Sequence, residues 1–139
     1  MVVEETSYTV LNVFEHPTFT VSTWANGITY IKIPADTVIE AKDIKDQYDY
    51  LSSIYNPNNK FILLIESGEN SSLTKEAREF SELPETSSMS LGTAVIIKSL
   101  AERIIISFMT NVVNQQHVKL KMFEDRKNAI EWLLSLKQN

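Results

Sequence analysis

Three short apolar runs from residue 61 onward, each leading into a stretch of helical spacing, constrain the fold most. Phe61-Ile62-Leu63-Leu64-Ile65 leads into a helix over residues 75–80. Thr93-Ala94-Val95-Ile96-Ile97 leads into one over residues 100–113. Val118-Lys119-Leu120-Lys121-Met122-Phe123 leads into one over residues 125–136. Strands that alternate with helices in this way form parallel strand–helix–strand units, buried on at least one face. The unbroken apolar run of 61–65 predicts a central strand covered on both faces.

The first third reads differently. Tyr8 to Phe14 alternates loosely, and His16-Pro17 ends it. Residues 18–24 and 28–33 alternate again, with Ala25-Asn26-Gly27 between them. Asn-Gly between two alternating runs predicts a hairpin over 18–33, because both residues tolerate positive φ. Pro34 stops that strand. Asp36-Thr37 then opens a helix, with Thr37 and Glu40 spaced as a capping box. Ile44, Tyr48, Leu51 and Tyr55 form one buried stripe along it. Asn56-Pro57-Asn58-Asn59 ends the helix. Thr74 or Ser72 caps the helix at 75–80, and Pro84 terminates it. The expectation is a single domain over residues 1–139, with the hairpin at 18–33 and βα units over 36–137.

Composition excludes several functions. The formal net charge of −5 argues against binding a nucleic-acid backbone, which clustered Lys and Arg drive. With no cysteine there is no disulfide, thiolate metal site or thiol nucleophile. The start of the chain lacks a basic and apolar leader pattern. The apolar stretch 100–113 carries Glu102 and Arg103 and is too short to span a bilayer. A cytoplasmic protein without a membrane span is expected.

Catalytic motifs are missing. His16 and His117 share no ligand spacing. The three glycines, Gly27, Gly68 and Gly92, build no phosphate-cradling loop. No nucleophile elbow is present. No enzyme activity and no cofactor are expected, since catalysis needs convergent titratable groups.

Three features remain as candidates. The polar loop Glu66 to Ser72 follows the 61–65 strand, at the carboxyl end where open α/β sheets place ligands. Its serines Ser67, Ser71 and Ser72 are candidate phospho-acceptors, or helix caps. The helix over 100–113 is apolar beyond one core-facing stripe. Its Ile105, Ile106, Met109 and Val113 are a candidate interface or apolar-ligand face, with ordinary burial as the plainer reading. Lys119 and Lys121 share one face of the last strand. There, lysine discourages stray pairing at a sheet edge, or forms a small anion site.

Some stretches carry a family resemblance. They are Leu73 to Phe80, Ala94 to Ile97 with Leu100 to Met109, and Lys121 to Asp125 with Ala129 to Leu133. Together with the order of elements, they resemble small bacterial SpoIIAA-like, or STAS-like, proteins. The likeness covers about residues 30–136 and extends to SEC14-type lipid-binding domains in the broader superfamily. It implies an α/β fold: a SpoIIAA-like βα superhelix, with a mixed sheet, an N-terminal antiparallel hairpin and helices packed on it. In anti-sigma antagonists the phosphorylated serine lies in an Asp-x-Ser loop at a helix start. This chain has Glu66-Ser67-Gly68-Glu69 there, and Ser71 or Ser72 could take that place. The resemblance implies a non-enzymatic regulatory or protein-interaction module, acting on a protein partner or as a homodimer. The alternative is a carrier of a small lipid-like ligand.

Overall fold

The computed structural model describes residues 9–98 and 119–138. Its main sheet has six strands in the order β1-β2-β3-β5-β7-β8. These are β1 (Val10–His16), β2 (Phe19–Trp24), β3 (Ile28–Ile33), β5 (Phe61–Ser67), β7 (Ser90–Ile96) and β8 (Leu120–Phe123). β1, β2 and β3 pair antiparallel, while β3, β5, β7 and β8 pair parallel. A second sheet joins β4 (Val38–Ile39) to β6 (Ser72–Leu73), also in parallel. The described helices are α1 (Ala41–Ile54), α2 (Lys75–Ser81), α3 (Pro84–Ser87) and α4 (Arg126–Leu136). All three apolar runs therefore become neighbouring parallel strands. The helix expected over 100–113 lies outside the described residues.

Period-2 alternation divides the core between the two sheet faces. On one face Phe19, Val21, Ile31, Ile33 and Phe61 pack with Ile44 and Leu51 of α1 and Ala77 of α2. On the other, Ile28, Ile62, Leu64, Ala94 and Ile96 pack with Ala129, Ile130 and Leu133 of α4. β5 is thus apolar on both sides because both sides are covered. Trp24 and Trp132 belong to the α4 cluster, as packing residues.

The hairpin forms where expected, by a different turn. Gly27 N–H donates to Trp24 O at 3.0 Å, closing a turn over Ala25 and Asn26. Only Gly27 has positive φ (96°), and Asn26 stays in the ordinary region. Asn26 instead accepts from Ile28 N–H through Oδ1, at 3.1 Å. This is a three-residue loop ending in a left-handed glycine, not a two-residue turn with both positions left-handed.

The start of α1 corrects the sequence reading. Thr37 does not cap it. Val38 and Ile39 are strand, and Glu40 is the N-cap, in a capping box with Asp43. Asp43 Oδ2 accepts from Glu40 N–H at 2.8 Å. The pairing of β4 with β6 extends the chain past Asp36 and delays the helix by three residues, from a cap at Thr37 to one at Glu40. Thr74 caps α2, its hydroxyl accepting from Ala77 N–H at 3.1 Å. Pro84 does not end α2, which stops at Ser81, but opens α3 at its first turn. β7 also begins at Ser90, three residues before the apolar run.

Candidate functional site

The parallel strands deliver their loops to one rim, and two of those loops are zipped together. Leaving β3, the chain runs through Pro34, Ala35, Asp36 and Thr37 into β4. Leaving β5, it runs through Gly68, Glu69, Asn70 and Ser71 into β6. Gly68 N–H donates to Ile33 O (2.7 Å), Asp36 N–H to Glu69 O (2.8 Å), and Ser72 N–H to Thr37 O (3.0 Å). Asp36 and Asn70 both hold left-handed backbone, φ 57° and 63°. Their short polar side chains tolerate that region, and Asn70 Nδ2 donates to Asp36 Oδ1 at 3.1 Å. A Cβ at Gly68 would stand 2.5 Å from Ala35 N, so only glycine lets the loops approach. The result is a fixed platform. It buries Ile39 but leaves Val38 at 53% and Leu73 at 40% exposure.

A charge cluster lies beside this platform, on the α4 face. Strand alternation puts Glu66 on the same face as Ile62 and Leu64, and its residue exposure is only 8%. Its Oε1 accepts from Tyr30 Oη at 2.8 Å and from Arg126 Nε at 2.9 Å. Lys98 Nζ stands 3.2 Å from Oε2. The Arg126 guanidinium also lies over the Tyr30 ring, 5.3 Å from its centre, and Nη2 donates to Tyr30 Oη at 3.0 Å. Burial by itself would raise the carboxyl pKa of Glu66. The bonds from Tyr30, Arg126 and Lys98 outweigh it and hold Glu66 down at about 2. Burial and the adjacent carboxylate push the Tyr30 hydroxyl up to about 12. Near neutral pH the group is therefore a fixed anion held by two cations, with a protonated phenol.

A shallow, open pocket of about 360 Å³ lies at the exits of β7 and β8. Ile97, Met122, Phe123, Glu124, Asp125 and Asn128 line it. Asp125 is committed to capping α4, accepting from Asn128 N–H at 2.8 Å. Among the described residues no cluster of His, Asp and Glu could hold a metal ion. No described helix is long and apolar enough to cross a membrane.

The candidate serines fall on the zipped loops in three different settings. Ser67 ends β5, half-buried and paired with Ile33. The Ser71 hydroxyl donates to Pro34 O and accepts from Thr37 N–H, so both its roles are taken. Ser72 is exposed on β6, next to Leu73. Ile105, Ile106, Met109, Val113 and His117 lie outside the described residues. Lys121 rests its ammonium over the rings of Phe123 (5.5 Å) and Trp132 (5.9 Å) on the edge strand β8. His16 is tied into the fold. Its Nε2 donates to Asp46 Oδ2 at 2.9 Å, and its Nδ1 accepts from Thr18 N–H at 3.2 Å.

The Glu66 cluster is the feature that motif reasoning misses. One signal was present, because alternation through 61–65 puts a carboxylate on a buried face and demands a cationic partner. The partner itself was not legible, since Arg126 is 60 residues away.

A mixed sheet with an antiparallel start, parallel remainder and helices on both faces defines the class. The chain has a SpoIIAA-like fold. It is similar to the crystal structure of an uncharacterised DUF3478-family protein from Shewanella loihica PV-4, described as SpoIIAA-like. That similarity has a TM-score of 0.55 and 16% identity, covering 91% of this chain and 94% of the other. The chain belongs to the family of the domain of unknown function DUF7793, whose model matches residues 22–137. No curated protein matches it significantly.

Proposed function

We propose that this chain is a non-enzymatic, STAS-like interaction module whose working surface is the zipped-loop platform. One observation carries the proposal: Val38 and Leu73 stand exposed on a rim held in place by backbone bonds. Apolar side chains on a pre-ordered loop surface suit protein contact, because little ordering entropy is lost on binding. The absence of enzyme activity belongs to the same reading. The buried carboxylate of the rim is held ionised by two cations, a structural use rather than a proton-transfer one. Of the three candidate serines, Ser72 is the phospho-acceptor proposed here. A phosphate there would set about two negative charges beside Val38, its partner in the β4–β6 register, and oppose apolar docking. The lipid-carrier reading draws no support from the open pocket, where Glu124, Asp125 and Asn128 stand beside Ile97, Met122 and Phe123.

The test is capture of a partner from the native host by the full chain. The expected result is one partner, lost from the double variant Val38→Asp, Leu73→Asp, weakened by Ser72→Asp, and kept by Glu131→Gln on the exposed side of α4. A chain that captures nothing, or a partner indifferent to both aspartates on the platform, refutes the proposal.

A further inference from the structure

The two margins of the main sheet are built differently. β8 is a four-residue strand carrying Lys121 and preceded by Lys119, and lysine at a margin discourages pairing with other chains. β1 at the opposite margin is a seven-residue strand, Val-Leu-Asn-Val-Phe-Glu-His, with neither lysine nor proline. Its outer side has no strand partner among the described residues. Val10, Leu11 and Val13 are 50%, 62% and 60% exposed, the largest cluster of exposed apolar side chains on any one described strand. The inner half of β1 is anchored. Phe14 stacks on Tyr50 of α1 at 4.2 Å, and His16 bonds Asp46. The strand thus presents a fixed row of backbone donors and acceptors with apolar flanks, and no charge guards its first five residues.

We infer that β1 is a self-association edge, at which two copies of this chain pair β1 with β1 antiparallel about a two-fold axis through Val13. The inference rests on the reading of the chain as an interaction module and gives that module a second, separate surface. An antiparallel strand edge is self-complementary under such an axis, which other occupants are not obliged to match. Charge placement agrees. Glu15 is the one carboxylate of β1, and a two-fold at Val13 sets it opposite Leu11 of the other copy. The two Glu15 side chains then stand about 14 Å apart, four residues at about 3.4 Å each. That exceeds the screening length of about 8 Å at physiological salt. The three central pairs, Asn12 with Phe14, Val13 with Val13 and Phe14 with Asn12, lie on regular backbone. The bulge between Val10 and Asn12 lies just outside them and limits the ladder to a short one.

Because the chain has no cysteine, a single engineered thiol reports on this geometry cleanly. Residues directly opposite in an antiparallel pair have Cα atoms about 4.5–5.5 Å apart, within disulfide range. The full chain and its Val13→Lys and Val13→Cys variants are compared by sedimentation from micromolar to millimolar concentration, with circular dichroism as the check on folding. The expected result is a wild type that approaches twice its 15.9 kDa mass with rising concentration. Val13→Lys should stay at the single mass with an unchanged spectrum. Val13→Cys should oxidise to a covalent dimer, whereas Glu131→Cys should not. A wild type that stays monomeric throughout overturns the inference, as does association that survives Val13→Lys. A folded Val13→Cys that cross-links only to an extended segment of another protein also overturns it, while leaving the interaction module standing. Val38→Asp with Leu73→Asp should leave self-association unchanged, so loss of the platform's partner and loss of the dimer are separate outcomes.

Discussion

Replacing Glu66 by glutamine removes one charge from a nearly closed cluster and keeps its shape. The carboxyl falls from 4.5 to about 2 on folding. At about 1.4 kcal/mol per pKa unit, that corresponds to roughly 3–4 kcal/mol if no water screened the partners. Arg126 and Lys98 keep 41% and 39% of their side chains in solvent. Screening of those outer ends reduces the contribution to roughly 2 kcal/mol. For a chain of this length that is a fall of roughly 8 °C in Tm. The sign with pH follows from the depressed pKa. The stabilisation is complete above the unfolded value of 4.5 and is lost as pH falls towards 2. Thermal or urea unfolding of wild type and Glu66→Gln, at steps from pH 7 to pH 2, is the assay. Other carboxylates titrate alike in both proteins, so the difference isolates Glu66. Equal stability at pH 7 would refute the reasoning, and so would a gap that persists unchanged at pH 2.

Further outcomes are expected. Gly68→Ala should cost about 1–3 kcal/mol by urea unfolding, because the added methyl meets the backbone of Ala35 rather than a side chain that could turn away. Thr74→Ala should cost about 1 kcal/mol through loss of the α2 cap, while Ser72→Ala, whose hydroxyl caps nothing, should leave stability within about 0.5 kcal/mol of wild type. Nitrogen NMR of the His16 ring should find the proton on Nε2, as the bond accepted by Nδ1 from Thr18 N–H requires. A proton found on Nδ1 in the neutral ring would contradict that bond.

How much of this was legible depended on where the determining partner lay. The parallel strands could be read because 61–65 and 93–97 are apolar on both faces, and only a doubly covered sheet asks for that. Asn26-Gly27 marked the hairpin, although the turn used one left-handed residue instead of two. The start of α1 was misread because Thr37 and Glu40 satisfy the local capping pattern. The competing bonds come from Ser72 and Thr74, more than thirty residues on. The zipped loops and the Glu66 cluster escaped for the same reason. Each half looks like an ordinary polar loop or an isolated charge until the fold brings its partner alongside. Ser67, Ser71 and Ser72 were indistinguishable as letters, and only backbone placement separates the engaged hydroxyl of Ser71 from the exposed Ser72.

The order of strands across the main sheet repeats their order along the chain. Each strand emerging from the ribosome therefore finds its neighbour already made, and no late segment has to thread between earlier ones. The exception is the cover on one side. Ile62, Leu64, Ala94 and Ile96 pack against Ala129, Ile130 and Leu133, which come after every strand of the main sheet in the sequence. Until α4 emerges, that face of the nascent sheet lacks the apolar cover that α4 gives it. That interval is when a chaperone has most to offer, and a premature stop before Arg126 would make it permanent.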